Sequence, residues 1–95
     1  MHALDVLGSP VRRAILRELR VRPRSVGELA ARFPVSRPAV SRHLRMLARA
    51  GLVESHPAGA RNVYAVRTRG FASAREFLSE FWGTALTRLE KLHKK

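Results

Sequence analysis

The segment from residue 37 to residue 50 carries polar side chains that could bind a nucleic acid. In a helix, at about 100° per residue, Val40, Leu44 and Leu47 fall on one side, where they would face a hydrophobic core. The opposite side carries Pro38, Ser41, Arg42, Arg45 and Arg49. Arginine can bind the O6 and N7 atoms of guanine through two hydrogen bonds, and serine can hold phosphates. The pattern favours a helix that enters the major groove of DNA over the alternative, a helix face that is merely solvated.

The net charge of the chain agrees with a polyanionic partner. Its 95 residues include 19 Lys and Arg against 7 Asp and Glu, which gives +12 at pH 7. Lysine occurs only at positions 91, 94 and 95, so almost all of the positive charge is arginine. Such an excess predicts binding to nucleic acid but carries no information about the fold.

The elements that would position this segment begin with two helices in the first third of the chain. Ser9 before Pro10 is a helix start, and apolar residues then recur at helical spacing, which predicts a helix over 10–21 that ends before Pro23. Residues 3–7 are expected to form a short helical turn beside it. Ser25 and Glu28 have the spacing of a capping box and predict a second helix, through residue 33.

A third helix and a β-hairpin follow. Ser36 opens the third helix, after a very short linker at 34–36, and Gly51 stands where a C-terminal cap is expected. Two β-prone runs, 52–56 and 62–67, flank a loop at 57–61 and predict the hairpin. Two helices joined by a tight turn and followed by a hairpin form a winged helix-turn-helix. The expected fold class is therefore mainly α with a small β-hairpin.

The last segment predicts one long amphipathic helix over about 71–92. Its apolar residues recur in steps of three and four, and a second apolar stripe widens the same face. Part of this face can complete the core of the chain, and the surplus predicts a twofold interface, helped by the N-terminal segment. The residues expected at that interface are Leu4, Leu7, Phe77, Phe81, Trp82, Leu86 and Leu89.

Four stretches of the sequence resemble the ArsR family of winged-helix repressors. They are residues 7–16 (LGSPVRRAIL), 26–30 (VGELA), 35–47 (VSRPAVSRHLRML) and 50–53 (AGLV), in the family's order and spacing. The resemblance implies a homodimeric bacterial transcription regulator on a palindromic operator. It also implies that Ser36, Arg37, Ser41 and Arg42 contact bases or phosphates and that Arg61, in the wing, reaches the DNA backbone or the minor groove.

Two departures from the family bear on specificity and sensing. Many members carry Gln-Pro-Thr or Gln-Pro-Ser where this chain has Arg37-Pro38-Ala39, so a different operator is expected. Many members sense metals through cysteines, and this chain has none, which excludes a thiolate sensor. Glu90 and His93 could share a helix face, but two ligands are too few for a metal site and are better explained as surface charges. We therefore predict no metal, no cofactor and no evident effector.

Other function classes are disfavoured. The sequence has no phosphate-binding loop, nucleophile elbow or clustered carboxylates, so an enzyme is not expected. No apolar run is long enough for a membrane span, and the start of the chain lacks a signal-peptide pattern, which predicts a cytoplasmic, nucleoid-associated protein. We expect one winged helix-turn-helix domain over 1–95, with the helix-turn-helix at about 25–50 and the wing at about 52–67. The alternative function is a sequence-tolerant architectural DNA binder.

Overall fold

The computed structural model describes residues 2–93, with the side chains of residues 2–83 and 88. Five helices and one hairpin follow one another along this part of the chain. They are α1 (Ala3–Val6), α2 (Pro10–Val21), α3 (Val26–Ala30), α4 (Arg37–Arg49), β1 (Val53–Ala58), β2 (Arg61–Val66) and, after a 3₁₀ turn over Thr68–Phe71, α5 (Ala72–His93). The predicted fold class is confirmed.

The three predicted serine caps start the three helices that carry the core. The Ser9 hydroxyl accepts the N–H of Arg12 at the start of α2, and the Ser36 hydroxyl accepts the N–H of Ala39 at the start of α4. Ser25 forms the predicted capping box at the start of α3. Each cap satisfies an N–H that has no partner inside its helix. These starts are set locally, by residues three apart.

The end of α3 differs from the prediction. The helix stops at Ala30, three residues before Phe33, and the N–H of Arg32 bonds the Leu29 carbonyl in a tighter turn. Phe33 and Val35 then lie half-buried against the core. The linker between α3 and α4 is therefore longer than predicted, because the chain leaves the helix early to place these two apolar side chains.

One hydrophobic cluster joins the helices to the base of the hairpin. Its fully buried members are Val6, Ile15, Leu29, Val40, Leu44, Leu47 and Leu52. The core stripe predicted for α4 is therefore confirmed. Since the stripe faces inward, the opposite side of α4 points away from the body of the protein.

The hairpin has a shorter turn than the five-residue loop predicted at 57–61. The strands pair antiparallel from Val53 opposite Val66 to Ala58 opposite Arg61, so only Gly59 and Ala60 form the turn. Gly59 has φ of 67°, as the first central residue of a type II′ turn requires. Pro57 lies within β1, an edge strand, at a pair next to the one that closes the turn, where no N–H is needed.

Two contacts fix the hairpin to the helices. On the free side of β2, the N–H of Arg24 bonds the Tyr64 carbonyl at 3.1 Å and the N–H of Tyr64 bonds the Arg24 carbonyl at 2.7 Å. After the hairpin, Gly70 passes so close to Gly51 that a methyl group on Gly70 would overlap the Gly51 carbonyl oxygen. The position therefore requires glycine.

Among the side chains that the structure describes, α5 joins the core at its beginning. Ala74 is buried and Phe71 is half-buried, whereas Leu78 and Phe81, further along the predicted stripe, are exposed. Of the described part of this stripe, the beginning completes the core and residues 78 and 81 do not. Within the described residues, no helix combines the length and the apolar character needed to cross a membrane.

Candidate nucleic-acid interface

The outward side of α4 carries three arginines, Arg42, Arg45 and Arg49, which we call the arginine face. All three side chains are exposed, and among the described residues no hydrogen bond or ion pair involves them. Ser41 lies half-buried beside them. The face therefore presents guanidinium groups whose donors are available to an external acceptor.

The start of α4 places two predicted contact residues differently. The Ser36 oxygen is the helix cap, 3.2 Å from the Ala39 nitrogen, so one of its lone pairs serves the helix, while its O–H can still donate to a ligand. Arg37 extends back over Gly27 in α3, where a methyl group would lie 3.3 Å from its Nη2. Pro38 is exposed.

The wing brings Arg61 towards α3 and α4. Arg61, Asn62 and Tyr64 line one side of a cleft of about 350 Å³. Its other side is formed by Ser25, Val26, Gly27 and Arg37. The cleft thus joins the wing to the first residue of α4, so Arg37 and Arg61, named separately from the sequence, belong to one surface.

Glu28 is the carboxylate beside this cleft. Its Oε1 accepts the Ser25 N–H at 3.1 Å and lies 3.9 Å from Nη2 of Arg61, while its Oε2 lies 3.2 Å from Nη2 of Arg22. The bond from the Ser25 backbone, together with Arg22, lowers the pKa of Glu28. The sequence identified Glu28 only as part of a capping box.

Other arginines stabilise the fold. Arg12 donates from Nε to the Val6 carbonyl at 2.7 Å, and Arg13 donates to the Leu7 carbonyl at 2.7 Å, so both tie α1 to α2. Arg24 is 4% exposed and bonds both the carboxylate and the backbone carbonyl of Glu18. No local sequence pattern distinguishes Arg24 from its exposed neighbours, so its role could not be predicted from the sequence.

His43 lies between the core and the arginine face. It is half-buried on α4, with Nδ1 3.4 Å from Nη1 of Arg12, and burial lowers its pKa, with Arg12 and Arg42 acting in the same direction. His43 thus packs against α2. Among the described side chains no group of three His, Cys, Asp or Glu is placed to hold a metal, and Glu90 and His93 lie outside them.

The residues predicted at a twofold interface fall into three groups. Leu4 and Leu7 are half-buried against the core. Phe77, Phe81 and Trp82 are exposed on α5, and Trp82 is 68% accessible to solvent. The side chains of Leu86 and Leu89 lie outside the described residues.

The fold identifies the protein as a winged helix-turn-helix protein, and the exposed arginine face of α4 suits a nucleic-acid partner. Residues 7–56 match the model of a family described as "Helix-turn-helix domain". The chain is 48% identical over 90 residues to the HTH-type transcriptional regulator Rv2034 of Mycobacterium tuberculosis, covering 95% of this chain and 84% of that protein.

Two solved structures agree with this result. A possible transcriptional regulator for arsenical resistance superposes with a TM-score of 0.81 at 37% identity, over 96% of this chain and 95% of that one. An ArsR-like transcriptional regulator from Rhodococcus sp. RHA1 superposes with a TM-score of 0.71 at 32% identity, over 94% and 87%. The chain belongs to the ArsR family of winged helix-turn-helix regulators and is a DNA-binding transcriptional regulator. Members of this class regulate transcription and are not enzymes.

Proposed function

We propose that this protein is a homodimeric repressor that occludes a promoter by binding a palindromic operator, at the nucleoid of a bacterial cytoplasm. The observation that carries the proposal is the arrangement of α4. One side is fixed in the core by Val40, Leu44 and Leu47, which are fully buried, and the other presents Arg42, Arg45 and Arg49 without intramolecular partners among the described residues. A rigid helix with free guanidinium groups suits the major groove.

The roles proposed for the individual residues follow from their placement. Arg42 and Arg45, in the middle of the arginine face, are proposed to contact base edges. Ser36, Arg37, Pro38 and Ser41 at the start of the helix, Arg49 at its end and Arg61 in the wing are proposed to contact the DNA backbone. Backbone contacts fix the register in which the central arginines meet the bases.

The exposed apolar side of α5 supports a dimer. Phe77, Phe81 and Trp82 remain exposed in the single chain, although apolar patches of this kind are usually covered by a partner. Leu7 and Trp82 line opposite walls of an apolar hollow of about 330 Å³ between α1 and α5. We propose that a second copy packs here about a twofold axis, which would place the two α4 helices in successive major grooves, roughly 34 Å apart.

The DNA-binding proposal is tested by selecting bound sequences from a random pool and footprinting the result. A repressor of the proposed kind enriches one near-palindrome and protects two half-sites about one helical turn apart. A variant with Arg42, Arg45 and Arg49 all replaced by alanine should lose this enrichment while remaining folded. Uniform protection without an enriched site would instead identify a sequence-tolerant architectural protein.

The dimer is tested separately by sedimentation. Trp82→Glu should convert the protein to monomers, because it places a charge in the proposed apolar interface. Val21→Glu is the matched control, since Val21 is 72% exposed at the end of α2, outside that interface. If the Trp82→Glu protein sediments as a dimer, the assignment of α5 to the interface is wrong.

A further inference from the structure

The cleft between α3, α4 and the wing contains more positive than negative charge. Arg37 enters it from the start of α4 and Arg61 from the start of β2. No ion pair of Arg37 occurs within the described residues, and its guanidinium lies over α3, with Nη2 3.3 Å from the position that a methyl group on Gly27 would take. Two guanidinium groups that approach one cleft from different elements repel each other unless an anion lies between them.

Glu28 provides only part of that negative charge. The same carboxylate accepts the Ser25 N–H and pairs with Arg22 at 3.2 Å, so Arg61, at 3.9 Å, has the longest of its three contacts. The Arg61 side chain is also 65% exposed, where solvent and salt screen an ion pair strongly. The contact between Arg61 and Glu28 is therefore one that a better acceptor can replace.

We propose that this cleft seats one phosphate of the DNA backbone, held by Arg37 and Arg61, and that Glu28 competes with the phosphate for Arg61. The inference rests on the proposed DNA-binding function and adds a site and a counter-charge to it. A phosphodiester matches the site because arginine binds phosphate oxygens through two parallel hydrogen bonds. Since Arg37 opens α4, a phosphate held there lies next to the groove that α4 would enter. Glu28 then lowers the affinity for DNA of any sequence.

The sharpest test is Glu28→Gln, which removes the charge and keeps the helix cap. A glutamine oxygen can accept the Ser25 N–H as the carboxylate does, because Glu and Gln both serve at this position of a capping box. The probe is a random-sequence duplex of about 30 base pairs, roughly three helical turns, titrated over a range of salt concentrations. Affinity at low salt should rise by about fivefold, the effect of one nearby unit charge in water.

Three further variants locate the effect. Glu76→Gln changes the net charge equally on α5, outside the cleft, and should raise the affinity much less. Arg61→Gln should reduce the slope of log affinity against log salt by about one, the loss of one phosphate contact. In the double variant of Glu28→Gln and Arg61→Gln, most of the gain from Glu28→Gln should disappear. Thermal unfolding of each variant checks that it is folded under the conditions of the titration.

Several results would overturn the inference. Equal gains in DNA affinity from Glu28→Gln and Glu76→Gln would show a general effect of net charge. A gain in affinity from Glu28→Gln that persists in the absence of Arg61 would show that Glu28 does not compete with the phosphate for Arg61. Stabilisation of the free protein by inorganic phosphate at constant ionic strength, lost in Arg61→Gln, would assign the cleft to free anions. Selection without a palindrome would refute the repressor and leave this inference intact, because the probe has no operator. Failure of the natural protein to bind any duplex would refute both.

Discussion

Two groups of arginines in this protein have the same charge and opposite surroundings. Arg12 and Arg24 reach into the protein, where their guanidinium groups bond backbone carbonyls and, for Arg24, a carboxylate. The second group lies on the outer side of α4, where its side chains are exposed to solvent and form no hydrogen bond or ion pair among the described residues. Its members are Arg42, Arg45 and Arg49. The net charge of +12 therefore overstates the charge available to DNA, because part of it stabilises the fold.

The difference has a physical basis. A guanidinium group taken out of water must recover its lost hydration through bonds inside the protein, which fixes its position. An arginine on an exposed helix face keeps its hydration and its five donors, and it gives up water only when a base or phosphate replaces it. Removing an inward arginine should therefore affect folding, and removing an outward one should affect binding.

The largest effect is expected from Arg24→Met. Loss of the bonds to Glu18 from a buried position should lower the free energy of unfolding by about 2–3 kcal/mol, measured by urea denaturation. Arg32→Met is the matched control, because Arg32 pairs with the same carboxylate at 2.8 Å but is about half-exposed, and it should cost roughly 1 kcal/mol or less. Equal decreases in the free energy of unfolding in the two variants would show that burial does not increase the contribution of Arg24 to stability.

Arg42→Ala should give the reverse pattern. We expect specific DNA binding to weaken by about 1–3 kcal/mol if Arg42 reads a base, with an unfolding free energy unchanged within about 0.5 kcal/mol. Titration of the selected operator and of a random duplex separates the two possible contacts. An equal loss of affinity for both duplexes would show that Arg42 contacts a phosphate and not a base. A clear decrease in the free energy of unfolding would show that Arg42 stabilises the fold.

Arg12→Leu should have a smaller effect, concentrated on α1. It removes the bond to the Val6 carbonyl and the contact with His43, at a cost of about 1 kcal/mol. Hydrogen exchange should accelerate at the Leu7 amide, which bonds the Ala3 carbonyl across α1. Arg17→Leu, on the exposed side of α2, is the control and should leave that amide unchanged.

The smallest effect is expected from His43. Burial and the two flanking arginines lower its pKa below the ordinary 6.5, so the unfolded chain takes up its proton at a higher pH than the folded protein does. Stability should therefore fall as the pH drops from above 7 through 6.5. Thermal unfolding of His43→Gln at the same pH values should show a shallower fall. An unchanged pH dependence would mean that His43 does not contribute.

Much of the fold could be predicted because its signals are local. Ser9, Ser25 and Ser36 cap helices through atoms three residues away, and the two sides of α4 follow from helical periodicity alone. The predictions failed where distant residues decide the outcome. Helix α3 ends early because Phe33 packs into the core, and β1 extends through Pro57 because an edge strand tolerates proline.

The candidate site divides in the same way. The arginine face follows from the sequence, since spacing places Arg42, Arg45 and Arg49 together on any helix. The cleft does not, because Arg37, Arg61 and Glu28 come from three elements, and only the folded chain brings them together. The exposed apolar side of α5 also depends on the fold, because Ala74 meets the core whereas Phe81 and Trp82, on later turns of the described part of the helix, do not.

The order of the residues was enough to predict the helix starts, the hairpin, the two sides of α4 and the resemblance to a family of DNA-binding regulators. These depend on interactions between residues that are neighbours along the chain. Three features depend on the folded chain: which arginines face inward, the close passage over Gly51 that requires a glycine at position 70, and which charges meet at the cleft. Those outcomes depend on contacts between segments far apart in sequence, and the partners of such contacts are chosen by packing.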